Sequence, residues 1–497
     1  MHEYSSPPHA ASLTDRSGAK ANFLHRCRDR LFEPRDIAAL AVFRILIGAL
    51  MCFGALRFVL NGWVERMYVE PDFHFKFWGF EWVVVPSQTW LYALYGGIAL
   101  TAFMVCIGAF YRIAIVAFWC LFTYAELMDV TTYLNHYYFV SLLALILCFL
   151  SPHRAWSVDA WRRPKLARAT LPSWQTFWLR YQVALLYFYA GLAKFEPDWL
   201  LHAQPLNIWL PPHSGLPLIG PFLELTWVHF AFSWFAFLFD TTIIGFMLWR
   251  RTRPYAFVVI LVFHYFTHLF FNIGLFPIIM VFSVLVFFDA NWPRKLLRFL
   301  PSSSSPSSSS SGDQLDVYAE EGKRIATHQW RPRATFSAYA IAIFCAFQFL
   351  FPLRQWLYPG TVLWHEQGMR FSWRVMVREK SGSLQYRVVY GSERQAALVS
   401  PNQYLTEDQY REMAGQPDMI LQLAHHIRDE YVERGLAPVE IYADSRVSLN
   451  GRLAHRMIDP TVDLAQVEDN LRQANWITEP PIESPPLQKP LRLAANR

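Results

Sequence analysis

The chain has 497 residues, of which 54% are hydrophobic and 17% aromatic, and its formal net charge is +6. This composition is too apolar for one ordinary soluble domain, and long apolar runs separated by short basic loops indicate a polytopic membrane protein. Since the positive charge belongs to arginines and lysines of those loops, it requires no nucleic-acid partner.

The first 36 residues are polar and lack the short hydrophobic core of a cleavable signal sequence. We therefore predict a cytoplasmic N-terminal segment over residues 1–36, followed by an apolar run that is retained as a membrane anchor. Five of the six cysteines lie in apolar runs, and the sixth, Cys27, lies in the basic N-terminal segment. This pattern predicts neither a disulfide framework nor a cysteine-based metal site.

Nine apolar runs are candidate membrane spans, and because several are short or contain polar residues, eight spans remain an alternative. They lie near residues 38–60, 89–109, 111–127, 136–150, 175–193, 227–249, 254–271, 273–289 and 335–352. We predict a multi-span membrane domain over 37–300 and a last span over 335–352. All the clusters of arginine and lysine fall on the cytoplasmic side if the N-terminus is cytoplasmic and the spans number nine. The chain after about residue 353 is then extracytoplasmic.

The polar regions of the C-terminal half have their own patterns. Residues 301–312 are almost entirely serine and proline, which predicts a flexible cytoplasmic linker over 301–334. Residues 384–390 and 439–443 are typical of strands, and residues 418–434 carry apolar side chains at helical spacing. We predict an extracytoplasmic, mostly β domain with an inserted helix over 353–478 and an extended, proline-rich tail over 479–497.

The predicted topology collects polar side chains near the outer leaflet. They are Asp129, Asn135, His136, Lys194, His264 and His268. Groups that converge from several spans are typical of a site between helices. Lys194 ends an apolar run at the expected membrane surface, where poor solvation of its cation favours a neutral amine that can act as a base. The alternative is a lysine that extends its ammonium group to the interface.

Each of the other polar residues also has a structural interpretation. His136 could cap a helix or bond a carbonyl, His264 and His268 could bond neighbouring helices, and Asp129 could bond the backbone amides that follow it. The His-x-x-x-His spacing of His264 and His268 fits two metal ligands on one helix. A diiron site would need further histidine clusters at this depth, which the sequence lacks, so no metal is predicted.

A family resemblance is carried by motifs that occur in order along the chain. The run from Phe188 to Lys194, followed by Asp198-Trp199, resembles the central motif of the vitamin K-dependent γ-glutamyl carboxylase family. Further similar motifs are Leu40–Arg44, Asn135-His136 with Trp156–Asp159, Phe263-His264 with Leu269–Gly274, Phe371–Val377 and Asp459–Asp463. The N-terminal part alone resembles only the broader transmembrane family to which the carboxylases belong (the HTTM domain), and the outer-domain motifs indicate the carboxylases themselves.

The resemblance implies an enzyme that uses reduced vitamin K (a phylloquinol or menaquinol type), with O2 and CO2 as co-substrates. Lys194 would deprotonate the quinol, whose oxygenation to an epoxide produces a base strong enough to remove a γ-proton from a glutamate of a protein or peptide substrate. The resulting carbanion would capture CO2 to give γ-carboxyglutamate. His136 would lie beside the quinone as a second catalytic residue.

Supporting roles follow for other residues. Asn135, Asp129 and His264 are candidates for binding the quinol and stabilising developing oxyanions by hydrogen bonding. Trp364, Arg378 and Lys380 lie in the segment that resembles the family's substrate-facing region, where a cation would hold the glutamate carboxylate. Arg378 and Lys380 could instead decorate a strand surface.

The chain departs from the animal members of the family. Its predicted outer domain contains no cysteine, so the disulfide that joins the two domains in those members is absent, and Ala193 replaces a second lysine before Lys194. We predict a bacterial homologue that is a multi-pass protein of the cell membrane, here the inner membrane. Its predicted partners are the lipid quinol, the glutamate-containing protein or peptide substrate and membrane lipids. Two alternatives are a quinol epoxidase with a non-peptide acceptor and a non-catalytic quinone-binding or transport scaffold.

Overall fold

The computed structural model of the protein describes residues 29–271, 273–298 and 332–486, with side chains from residue 339 onward in the last range. The predicted linker over 301–334 lies almost entirely outside the described residues. So do most of the N-terminal segment 1–36 and the end of the tail 479–497.

Helices occupy every apolar run in which a membrane span is predicted. They are α1 (Ala38–Leu60), α2 (Gln88–Ile107), α3 (Tyr111–Leu127), α4 (Asn135–Phe149), α5 (Trp174–Ala193), α6 (Thr226–Leu248), α7 (Arg253–Phe270), α8 (Phe276–Val284) and α9 (Pro332–Leu350). Among the described residues, five helices are long and apolar enough to cross a membrane: α1, α2, α6, α7 and the helical stretch Tyr339–Leu357. The shorter apolar helices are α4 and α8 with its 3₁₀ extension. The number of spans therefore stays a prediction.

Close packing of α1 on α2 surrounds a buried arginine. A Cβ atom at Gly48 of α1 would lie 2.6 Å from the backbone nitrogen of Cys106, so the glycine permits the two helices to touch. Arg44, one turn earlier and fully buried, donates to the carbonyls of Val105 (2.7 Å), Cys106 (2.5 Å) and Trp156 (2.6 Å). These carbonyls offset the cost of taking a guanidinium out of water.

The C-terminal region contains a sheet and a pair of helices. Strands β3 (Lys380–Tyr390), β4 (Gln395–Val399), β5 (Val439–Leu449) and β6 (His455–Arg456) form an antiparallel sheet in the order β4-β3-β5-β6. A separate short pair, β1 (Pro34–Asp36) and β2 (Thr170–Pro172), precedes it in the chain. Helices α10 (Glu407–Met413) and α11 (Pro417–Glu433) come between β4 and β5.

The sheet and α11 build one core through their complementary periodicities. Alternate residues of β3, including Tyr386 and Val388, are buried, and so are Ile420 and Leu423 on one face of α11. The predicted strands and inserted helix are confirmed. Strands nevertheless form a smaller part of residues 353–478 than expected, because helices, 3₁₀ turns and irregular chain occupy much of that range.

Polar contacts attach this outer domain to the membrane domain. Asp198, just after α5, accepts two hydrogen bonds from Arg452 (2.6 and 2.7 Å) and one from Asn450 (2.8 Å). Arg374 pairs with Glu196 at 3.2 Å. All the cysteines that the structure describes are free thiols, so ion pairs and hydrogen bonds hold the domains together in this region.

Candidate active site at the junction of the two domains

Lys194 lies at the end of α5 in an ion pair. Its Nζ donates to Oδ2 of Asp240 on α6 at 2.7 Å and to the carbonyl of Ala190 at 3.2 Å, and it lies 5.3 Å from the centroid of the Trp199 ring. Both side chains of the pair are about 7% exposed. The sequence predicts the burial of the lysine but not its acidic partner. At this distance the ammonium and the carboxylate form a direct, charge-assisted hydrogen bond.

The glycine of the central motif permits this pair to form. A Cβ atom at Gly191 would lie 2.7 Å from Cγ2 of Thr241 and 3.1 Å from its backbone nitrogen. The absence of a side chain at Gly191 therefore allows α5 to approach α6 next to Asp240. Gly191 therefore permits both the close approach of the two helices and the position of Asp240 beside Lys194.

A cavity of about 410 Å³ opens beside Lys194, and we call it the lysine cavity. Its polar lining includes Lys194, Asp240, Tyr187 and His264. The remaining walls are mostly aromatic and aliphatic, and they are contributed by α5, α6, α7 and the outer domain. A mostly apolar chamber with a few convergent polar groups is typical of a small-molecule site.

His264 lines the lysine cavity and has one hydrogen-bonded and one unpaired ring nitrogen. Its Nε2 lies 3.0 Å from the hydroxyl of Tyr187, whereas its buried Nδ1 has no hydrogen-bond partner. His268, four residues later, is exposed, so the two histidines do not form a common site. Within the described ranges, no group of three or more His, Cys, Asp or Glu side chains is arranged to hold a metal ion.

A second cavity, of about 700 Å³, lies between the membrane domain and the outer domain, and we call it the histidine cavity. Asn135 and His136 line it at the start of α4, together with residues at the ends of α1 and α3 and residues of α10. His136 is 6% exposed. The side-chain oxygen of Asn135 accepts a hydrogen bond from the hydroxyl of Tyr133 at 3.1 Å.

The two cavities share a wall made of Phe276, Val375 and Met376. The ring centroid of Phe276 lies 5.7 Å from that of His136 and 5.8 Å from that of His264. The structure thus brings Lys194 together with His264, and Asn135 together with His136, in neighbouring chambers. The two catalytic candidates, Lys194 and His136, line different chambers.

Asp129 has a different environment from the other candidates. Its carboxylate accepts hydrogen bonds from the backbone and hydroxyl of Thr131 (both 2.8 Å) and from Gln409 of α10 (3.2 Å), and it pairs with His74 at 2.9 Å. The residues that line the two cavities do not include Asp129. Its contacts stabilise the turn before α4 and attach that turn to the outer domain.

The three candidates for glutamate binding are engaged with other groups. Trp364 is 1% exposed and donates to the carbonyl of Thr478 at 2.8 Å. Lys380 donates to the carbonyls of Trp364 and Gly415 (both 2.7 Å) and to Glu366 (2.8 Å), which also binds Arg378 at 3.0 Å. Burial lowers the pKa of Lys380 to about 8, and the Glu366 carboxylate limits that fall. Trp364 and Lys380 are therefore inside the outer domain, not on a strand surface, whereas Arg378 is partly exposed, at 22% of its side chain.

The candidates predicted from the sequence do not include Asp240, Tyr187 or Arg57, which line the two cavities. Asp240 is the only acidic residue in the 23 residues of α6, and an ionisable residue in an apolar span is by itself a functional signal. That signal was available without the structure. The pairing of Tyr187 with His264 and the placement of Arg57 in the histidine cavity depend on how the helices pack, which no local pattern contains.

Comparisons with known proteins cover both parts of this junction. Residues 32–292 match the family model of the HTTM domain, and residues 333–483 match the model described as vitamin K-dependent gamma-carboxylase, lumenal domain. No solved structure matches the chain. Lys194, Asp240 and His136 lie within the first matched region, and Val375 and Met376 of the shared wall lie within the second.

Proposed function

The chain belongs to the vitamin K-dependent γ-carboxylase family, and from that premise we propose that it is an integral membrane γ-glutamyl carboxylase. Family membership implies dependence on reduced vitamin K and a membrane protein whose C-terminal domain is extracytoplasmic. The proposed reaction couples oxygenation of the quinol to its epoxide with γ-proton removal from a substrate glutamate and addition of CO2. The observation that carries the proposal is a buried lysine–aspartate pair in an apolar chamber beside a second chamber at the outer domain.

The lysine cavity suits a reduced naphthoquinone with a lipid tail. Its aromatic walls match a flat apolar ring, and Lys194, Asp240, Tyr187 and His264 supply its few polar groups. Lys194 and His264 would hold the quinol hydroxyls. When bound, the quinol together with O2 supplies a base strength that no protein side chain reaches.

The Lys194–Asp240 pair would move the first proton. For Nζ of Lys194 to accept the proton of the quinol hydroxyl, the one exchangeable proton of the pair would first have to lie on Asp240, which leaves the lysine as a neutral amine. Asp240 holds the resulting ammonium next to the negative charge that develops on the ligand. The pair is almost completely sequestered from water, which strengthens these interactions and prevents premature protonation.

His136 and Asn135 would act from the other side of the shared wall. Both line the histidine cavity, and the His136 ring lies near Phe276, as does His264. We assign them the stabilisation of negative charge that develops on the substrate during carboxylation. Asp129, which bonds the turn just before them, is a positioning residue in this proposal.

The test is incorporation of labelled bicarbonate into a glutamate-containing peptide by purified protein given reduced vitamin K and O2, with Lys194→Ala alongside. Quinol-dependent incorporation that disappears in the variant supports both the reaction and the base. Lysine-dependent epoxide without incorporation would favour an epoxidase with another acceptor. Folded protein that binds quinone but forms neither product would favour the non-catalytic scaffold.

The proposed topology places the N-terminus in the cytoplasm and the outer domain beyond a bacterial inner membrane. It rests on the one-sided distribution of basic clusters. A protease-accessible tag at the C-terminus of intact spheroplasts would support it. A tag accessible only after lysis would overturn it.

A further inference from the structure

We propose that Arg57 binds the carboxylate of the substrate glutamate, and that the histidine cavity is the glutamate site. The inference rests on the proposed function, because it assigns the acceptor of that reaction. It replaces the expectation that the cations of the outer domain, Arg378 and Lys380, perform this role.

Arg57 is a cation without a counter-ion in the chamber that contains the catalytic candidate. It lies in the last turn of α1 and lines the histidine cavity with Asn135 and His136. Its guanidinium carbon lies 4.8 Å from the centroid of the Trp63 ring. In the part of the chain that the structure describes, no carboxylate lies within ion-pair distance of Arg57, and its guanidinium makes no hydrogen bond.

Each of the other cations near the substrate chamber already has a protein carboxylate as a partner. Arg66 and Arg411 line the same cavity, and both pair with Asp408, at 2.5 Å for Arg66. In the outer domain, Glu366 binds both Arg378 and Lys380. A substrate carboxylate at any of these cations would have to compete with a protein carboxylate, whereas Arg57 has no such competitor within ion-pair distance among the described residues.

The chamber also fits the ligand in size and polarity. A volume of about 700 Å³ accommodates a glutamate with its neighbouring peptide units, and residues of α10 line the side toward the outer domain, from which the substrate arrives. Three carboxylates, Glu126, Asp408 and Glu412, line the cavity too, and none of them forms an ion pair with Arg57. The planar guanidinium can bind a carboxylate through two parallel hydrogen bonds, which selects glutamate over glutamine.

A peptide-binding experiment tests the assignment independently of catalysis. The probe is a short fluorescent peptide with one glutamate, compared with the same peptide carrying glutamine, titrated into the purified full-length protein without quinol. Wild-type protein is expected to prefer the glutamate peptide, and Arg57→Gln to lose roughly 10- to 100-fold in affinity for it, as expected for a charge-assisted bond. Arg57→Lys keeps the positive charge but cannot form two parallel hydrogen bonds to a carboxylate, so its loss of affinity should be intermediate.

The matched control is Arg66→Gln, on the same cavity but paired with Asp408, with an expected change below threefold. A glutamate preference that survives in Arg57→Gln and disappears in Arg378→Gln would overturn the assignment, and so would a wild-type protein with no preference. Thermal melting identifies variants that fail to fold. If Arg57→Gln fails to fold, the peptide affinity of Arg57→Lys still tests the assignment. The protein could fail to carboxylate the peptide and still show an Arg57-dependent preference for glutamate over glutamine. That result would contradict the proposed function but support a carboxylate-binding site at Arg57.

Discussion

Two lysines of this protein, Lys194 and Lys380, are each buried against one carboxylate, yet their surroundings differ. Lys380 donates hydrogen bonds to Glu366 and to two backbone carbonyls inside the outer domain. Lys194 has Asp240 and one backbone carbonyl, and it lines a cavity. Burial against a carboxylate therefore does not distinguish a catalytic lysine from a structural one. Access to a chamber that can hold a reactant does.

The largest expected effect is on catalysis, from Lys194→Arg. Arginine keeps the positive charge beside Asp240 but does not lose its proton in proteins, so it cannot serve as the base. We expect carboxylation and epoxide formation to fall roughly 10²- to 10⁴-fold, the range for loss of a general base. Melting temperature should change little, because Asp240 keeps a cationic partner.

Labelled-bicarbonate incorporation and thermal melting of the same preparation provide the two readouts. The informative control is Lys380→Arg, for which the two readouts should reverse: a lower melting temperature and unchanged turnover for each folded molecule. Substantial activity in Lys194→Arg would remove the lysine from the proposed mechanism.

Removing the carboxylate from the structural pair should affect stability. Glu366→Gln leaves two cations, Arg378 and Lys380, without their common counter-ion in a buried site. Removing one partner of a buried pair costs about 3–5 kcal/mol in the free energy of unfolding. Denaturant unfolding followed by outer-domain tryptophan fluorescence measures this cost. A loss below about 1 kcal/mol would mean that the network contributes little to folding.

The same carboxylate-to-amide change in the proposed catalytic pair, Lys194 and Asp240, should affect turnover. In Asp240→Asn the amide still contacts Nζ but supplies no charge and no shared proton. We expect kcat to fall roughly 10- to 100-fold with the KM for the glutamate peptide unchanged, consistent with the loss of one preorganised electrostatic partner. Asp240→Glu should recover part of the rate, which a purely structural role for the residue would not explain.

An equal loss of stability in Asp240→Asn and Glu366→Gln would break the comparison between the two lysines. It would mean that Asp240 holds α5 and α6 together in the same way that Glu366 holds the outer domain. Steady-state kinetics and unfolding curves on both variants decide between these outcomes.

The smallest expected effect concerns domain docking at Asp198. Burial would raise the pKa of this carboxyl, but hydrogen bonds from Arg452 and Asn450 outweigh that effect and lower it. Its stabilising contribution is therefore fully present above the usual aspartate value of about 4, and it is lost as the pH falls through the lower pKa of the folded state. We expect Asp198→Asn to cost about 2 kcal/mol at pH 6.

The difference in melting temperature between wild type and Asp198→Asn should shrink as the pH falls below about 4. The exposed Asp444 provides a control, since Asp444→Asn should change stability by less than about 0.5 kcal/mol at either pH. A difference that stays constant down to pH 3 would contradict the assignment of the docking energy to this ion pair.

Many helices and strands of the protein can be predicted from local patterns of the sequence. Apolar runs become the helices α1 to α9 because a backbone in hydrocarbon must satisfy its own hydrogen bonds. Alternation at Leu384, Tyr386 and Val388 predicts β3, and helical spacing predicts α11, since both periodicities follow from backbone geometry alone. The order of short motifs also indicates the family, because each motif is readable without knowing what it contacts.

Pairings between distant residues were decided only by the tertiary structure. Asp240 is 46 residues from Lys194 in the chain, and their contact depends on the approach of α5 to α6 at Gly191. Likewise, Glu366 binds Arg378 and Lys380, which the family resemblance made candidates for glutamate binding, and helix packing leaves Arg57 lining the histidine cavity. A sequence determines which groups are costly to bury. Packing determines which partner removes that cost, and therefore which charge remains available for a substrate.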